Sequence, residues 1–79
     1  MHARVVVTLK REVLDPQGEA VRRALVSLGI EQVGSVRIGK IIDIEIEGEP
    51  ADARAKIENA ARQLLSNPVI EDWRIDAIE

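Results

Sequence analysis

The chain has 79 residues, no cysteine, one histidine and one aromatic residue, Trp73, and its 11 basic and 14 acidic side chains leave a net charge of −3. That length makes a single domain over 1–79, near the lower limit for folding alone; with no disulfide or thiolate metal site to help, oligomerisation is the common remedy. The charge balance argues against a nucleic-acid partner. The apolar runs are too short for a membrane span or a signal-peptide core, so a cytoplasmic protein is the expectation.

From Arg4 to Arg11, Val5, Val7 and Leu9 alternate with Arg4, Val6, Thr8 and Lys10, which predicts a strand. Asp15-Pro16 then opens a helix: the Asp side chain can accept first-turn N–H bonds, and Pro fits the first helical position, where no donor is needed. Val21, Ala24, Leu25 and Leu28 recur at i, i+3, i+4, i+7 and form one apolar stripe. Glu19 precedes Arg22 and Arg23 at the spacing of helical ion pairs, and Gly29 supplies a left-handed stop.

Val33 to Ile38 and Ile42 to Glu47 read as the next two strands, the second with Ile42, Ile44 and Ile46 opposite Asp43, Glu45 and Glu47. A two-residue turn at Gly39-Lys40 would pair Ile38 with Ile41 and set Val36 beside Asp43. A three-residue connection or a bulge at Gly39 keeps the apolar faces together and is preferred. One long bent strand that pairs with a neighbouring molecule is the third option. Pro50 begins a second helix with Ala53, Ile57, Ala60, Ala61 and Leu64 on its buried stripe and Asp52–Lys56 and Glu58–Arg62 as surface pairs. Asn67-Pro68 stops it, and Val69 to Ile78 is the last strand. The order β-α-β-β-α-β predicts an α+β, ferredoxin-like two-layer sandwich with an antiparallel sheet and two helices.

Catalytic groups are scarce. His2 sits at a terminus prone to fray, and Ser27, Ser35 and Ser66 have no histidine to act as base. Asp43, Glu45 and Glu47 alternate along one strand face, which converges poorly on a cation. Gly39-Lys40 lacks the Ser or Thr of a phosphate loop. An RNA binder of this fold would stack bases on strand aromatics, and a metallochaperone would carry paired cysteines; the chain has neither. No catalytic, cofactor-binding or metal-binding residue is therefore expected. A small-ligand regulatory domain of the same fold is the alternative to an assembly protein.

Three stretches carry a resemblance. They are Val7-Thr8-Leu9-Lys10 running on to Val13-Leu14-Asp15-Pro16-Gln17-Gly18, then Val36-Arg37-Ile38-Gly39-Lys40, and Leu64-Leu65-Ser66-Asn67-Pro68-Val69-Ile70-Glu71-Asp72-Trp73. In this order and spacing they resemble the PurS family from end to end, with Trp73 standing where Tyr would be equally expected. The resemblance implies a dimeric, non-catalytic subunit of phosphoribosylformylglycinamidine synthase. That enzyme converts formylglycinamide ribonucleotide, ATP and glutamine to formylglycinamidine ribonucleotide, ADP, phosphate and glutamate in purine biosynthesis. It further implies a PurL-type synthetase partner that uses ATP and magnesium, a PurQ-type glutaminase partner, and support of ammonia transfer between them. Arg37 and Lys40 bracket Gly39 with no evident partner on their own strand, which makes Arg37, Gly39 and Lys40 candidates for subunit contacts. Trp73 shares a strand face with Val69, Glu71 and Ile75 and is a further candidate, as aromatic anchors are enriched at interfaces.

Overall fold

The structure, a computed structural model, describes all 79 residues. Strand β1 (His2–Leu9) leads to helix α1 (Pro16–Ser27), strand β2 (Gly39–Glu45), helix α2 (Pro50–Ala60) and strand β3 (Glu71–Ile78). The sheet is antiparallel in the order β2-β1-β3, so β1 is central and β2 and β3 each keep a free edge. The expected α+β class, with an antiparallel sheet and two helices, is what forms.

The core lies between one face of the sheet and α2. Ala3, Val5 and Val7 point inward from β1 and meet Ile57 and Ala61. The register sets Ile42 and Ile75 on either side of Val5, and Lys40 and Trp73 on either side of Val7. Ile42, Ile44, Ile46, Trp73 and Ile75 pack around the buried cluster, as the period-two alternation of the strands requires. Between Arg4 and Val5 the β1–β3 register slips from Ala77 to Ile75, so Asp76 is an extra residue that bulges β3.

Several expectations change. Val33–Ile38 forms no strand and no hairpin: β2 starts at Gly39, pairs with β1, and the preceding residues run on without a sheet partner. Two contacts explain why the chain does not turn back. The Ile38 N–H is bonded to the Asp15 carboxylate at 2.7 Å, and Gly39 sits so close to Thr8 and the Val7 carbonyl that a Cβ there would crowd both. The α1 stripe is also uncovered. Val21 and Leu28 are exposed, Leu25 is half-buried, and Gly18 is the only buried residue of the helix. The Asp52–Lys56 and Glu58–Arg62 pairs do not form; Glu58 lies 3.3 Å from Arg54 instead, a competition that exposed long side chains readily allow.

Leu64 departs from its expected place for a geometric reason. Residues Ala61–Leu65 form a π-helical turn in which Ser66 N and Oγ both donate to the Ala61 carbonyl, at 3.1 and 2.7 Å. The wider turn advances less per residue than an α-helix, so the stripe that runs through Ala53, Ile57 and Ala61 misses Leu64. Leu64 is 79% exposed, and Leu65 packs against the core in its stead. The other local expectations hold: Gly29 has φ of 94°, Glu19 pairs with Arg22 at 2.6 Å and Arg23 at 3.4 Å, and the Asp15 side chain caps α1.

The molecule is long, 49 × 25 × 14 Å, with a radius of gyration of 15.8 Å. A compact chain of this length would have about 12 Å. The excess follows from α1, which packs on neither face of the sheet to any extent.

Candidate functional site

A joint between α1, the segment 36–38 and the end of the sheet holds the molecule's shape. Asp15 is almost fully buried there, and one carboxylate oxygen accepts from Gly18 N at 2.9 Å while the other accepts from Ile38 N at 2.7 Å. The first bond is the helix cap that the Asp-Pro pair foretold; the second reaches 23 residues along the chain and had no local signal. The Gly18 bond, then the Ile38 bond, hold the Asp15 carboxyl below its ordinary range, against the opposing effect of desolvation. Gly18 must be glycine for close approach: a Cβ would run into the Val36 carbonyl oxygen.

Arg37 closes the same joint. Its Nη2 donates to the carbonyl oxygens of Lys10 and Val13, each at 2.8 Å, tying the 36–38 segment to the turn that follows β1. Two backbone carbonyls are partners that no charge pattern in the sequence could show. Gly39 lies at the start of β2 opposite Thr8, and Lys40 follows it, exposed, opposite Val7. A cavity of about 270 Å³ between Lys40, Asp15, Gln17 and Glu71 separates the sheet from the helix start. Trp73 lies across the sheet, opposite Val7, half-buried against the core. The fold therefore gathers Arg37, Gly39 and Lys40 near one end of the sheet.

The groups that catalysis would need are occupied or isolated. His2 Nε2 and Arg4 Nε both lie against Asp43 Oδ1, at 3.2 and 2.9 Å, on the exposed face of the sheet. The Arg4 bond, ahead of the His2 contact, holds the Asp43 carboxyl below its usual range. Ser27 Oγ donates to Arg23 O and Ser66 Oγ to Ala61 O, so neither hydroxyl faces a base. No three His, Asp or Glu side chains converge as a metal ion requires. No helix is long and apolar enough to cross a membrane.

What the surface offers is uncovered apolar area. Leu28 is 78% exposed at the end of α1, and Val21, Val26 and Ile30 lie open nearby in the chain. The segment 33–38 brings backbone groups with no sheet partner, and β2 beside it has a bare edge. Exposed apolar faces and bare strand edges are features of a protein that associates.

Comparison with known proteins agrees with this. Residues 2–79 match the family model described as PurS, phosphoribosylformylglycinamidine (FGAM) synthase. The chain is 43% identical over 76 residues to the phosphoribosylformylglycinamidine synthase subunit PurS of Bacillus subtilis, covering 96% of this chain and 90% of that one. The fold is similar to that of Bacillus subtilis PurS in its C2 crystal form, with a TM-score of 0.86, 42% identity, and 99% of this chain and 98% of that one covered. It is also similar to a chain in the structure of PurLQS from Thermotoga maritima, with a TM-score of 0.84, 30% identity and 99% of both chains covered.

Proposed function

The chain belongs to the PurS family, and from that premise we propose that it is the non-catalytic assembly subunit of a phosphoribosylformylglycinamidine synthase. It joins a PurL-type synthetase, which uses ATP, to a PurQ-type glutaminase and supports the passage of ammonia from one to the other. It acts as a single domain over 1–79, in the cytoplasm, as a homodimer. The observation that carries this reading is a surface built for association on a chain whose one histidine and two of whose three serines are bonded within its own structure. In a reconstitution with separate synthetase and glutaminase, adding the chain raises glutamine-dependent amidine synthesis several-fold, while the chain alone has neither glutaminase nor ATPase activity. Equal turnover with glutamine in the presence and absence of the chain would refute the assembly role.

The dimer is supported by area. The chain exposes 5730 Å², against about 4,700 Å² for a compact monomer of its mass. The excess, about 1,000 Å², is close to the roughly 800 Å² that each partner contributes to a standard interface. The second copy covers the α1 stripe and pairs with the segment 33–38 and the β2 edge. Sedimentation equilibrium at micromolar concentration should give twice the monomer mass; a stable monomer there counts against self-association.

Arg37, Gly39, Lys40 and Trp73 belong to this proposal as subunit contacts. Lys40 is supported by its exposure at the start of β2, and Gly39 by its place where the unpaired segment enters the sheet. Arg37 presents the remainder of its guanidinium from a fixed position. Trp73 keeps part of its ring accessible on β3.

A further inference from the structure

Charge pairing in this chain is uneven. Six of the 11 basic side chains lie within 4 Å of a carboxylate. Arg11 and Arg37 do not, yet both line one cavity of about 290 Å³, whose third lining residue is Ser35. No acidic side chain lines it. Two arginines that line one cavity repel each other. Although Asp15 lies close enough to feel the Arg37 charge, no carboxylate lines the cavity itself, which leaves it open to an external anion.

The cavity is also preorganised. Arg37 spends only Nη2 on the Lys10 and Val13 carbonyls, so its Nε–H and Nη1–H groups stay available. The turn that supplies those carbonyls carries Arg11 between them, which couples the positions of the two arginines. The Ser35 hydroxyl makes no hydrogen bond within the chain and stands two residues before Arg37. The site thus holds two positive charges, one on a fixed guanidinium, and one free hydroxyl. A carboxylate would neutralise one of the charges. A phosphate carries about −1.5 to −2 at neutral pH and offers several acceptor oxygens, which matches both arginines and the hydroxyl.

The geometry points to a phosphate-binding site at Arg11, Ser35 and Arg37, which takes inorganic phosphate or the phosphate of a nucleotide. Its ligand is held by charge-assisted hydrogen bonds from the two guanidinium groups and by the Ser35 hydroxyl. All three lining residues belong to one chain. The site draws on the same Arg37 guanidinium as the proposed subunit contact, so sedimentation of Arg11→Gln, at a residue outside that contact set, separates loss of phosphate binding from loss of assembly.

The test is an amide NMR titration of the full chain with inorganic phosphate and, separately, with adenosine monophosphate, at ionic strength held constant with chloride. Saturable shifts centred on Arg11, Ser35 and Arg37 are expected. Arg11→Gln should weaken binding about tenfold or more, the loss of a hydrogen bond to a charged group. It should leave the fold intact, because Arg11 is exposed and makes no bond within the chain. Arg62→Gln, at an exposed basic residue elsewhere, should bind as the parent does. Equal affinities for the two ligands assign the site to the phosphate group itself; tighter binding of adenosine monophosphate assigns it to a nucleotide. An Arg11→Gln titration indistinguishable from the parent, or shifts spread evenly over all basic residues, overturns the site.

Discussion

Asp15→Ala should lower the melting temperature of the chain by roughly 10 °C, the size expected when a helix cap is lost and a buried donor is left without a partner. The same carboxylate bonds Gly18 N at the start of α1 and Ile38 N at the entry to β2, so the substitution frees both. Amide exchange at Gly18 and Ile38 should accelerate well beyond that in β1. Asp15→Asn is milder, because its carbonyl oxygen keeps one bond while its amide nitrogen cannot accept the other. The parent carboxyl titrates below its unfolded value in the native state, so it contributes stability that is complete above the ordinary Asp range. That contribution is lost as pH falls through the lowered native value. The gap in melting temperature between the parent and Asp15→Asn should therefore narrow in acid; a constant gap would show that the ionised carboxylate is not what holds the joint.

Ile57→Ala should cost about 2–5 kcal/mol, since it empties the centre of a core with few members. Ile57 is 3% exposed and packs with Ala3, Val5, Val7 and Ala61. A domain of this length has a total stability of only about 4–12 kcal/mol, so urea denaturation should show a large share of that stability lost, with the midpoint moved well towards zero denaturant. Leu64→Ala is the informative control. It lies on the same ideal helical stripe, yet the π-helical turn exposes it, and its loss should change the stability of the isolated chain by less than about 0.5 kcal/mol. Equal costs at the two positions would mean that the turn does not persist in solution.

These two residues show which parts of the structure were legible in the sequence. Alternation in β1, β2 and β3 placed Val5, Val7, Ile42, Ile44 and Ile75 correctly, because a strand face is a local property. The Asp15 cap and the Gly29 stop were legible for the same reason. Val33–Ile38 was not: Val33, Val36 and Ile38 suit a strand, but a strand exists only where another backbone lies beside it, and this chain provides none. The π-helical turn was hidden as well, since Ala53, Ile57, Ala60, Ala61 and Leu64 continue an α-helical period with no Pro or Gly to interrupt it. At the candidate site, Lys40 stands exposed, whereas Arg37 is held by carbonyls 24 and 27 residues away. Arg11 and Ser35 stood out in no motif; their meaning comes from a cavity that only the folded chain forms.

The bulge at Asp76 bears on how growth of the assembly is limited. A sheet with two bare, regular edges can add copies at both ends and extend into a fibre. Here the edges are unequal. The β1–β2 ladder runs from His2 to Thr8 without a break in register, whereas β3 carries an unpaired extra residue, the charged Asp76, with the charged Arg74 two positions before it. A bulged, charged strand is a poor template for another backbone, which leaves β2 as the edge that accepts a partner. In the proposed dimer two copies meet edge to edge through β2, each occupies the other's only competent edge, and addition stops at two. Straightening β3 by removing its extra residue would take away that terminator and favour insoluble polymer over the closed pair.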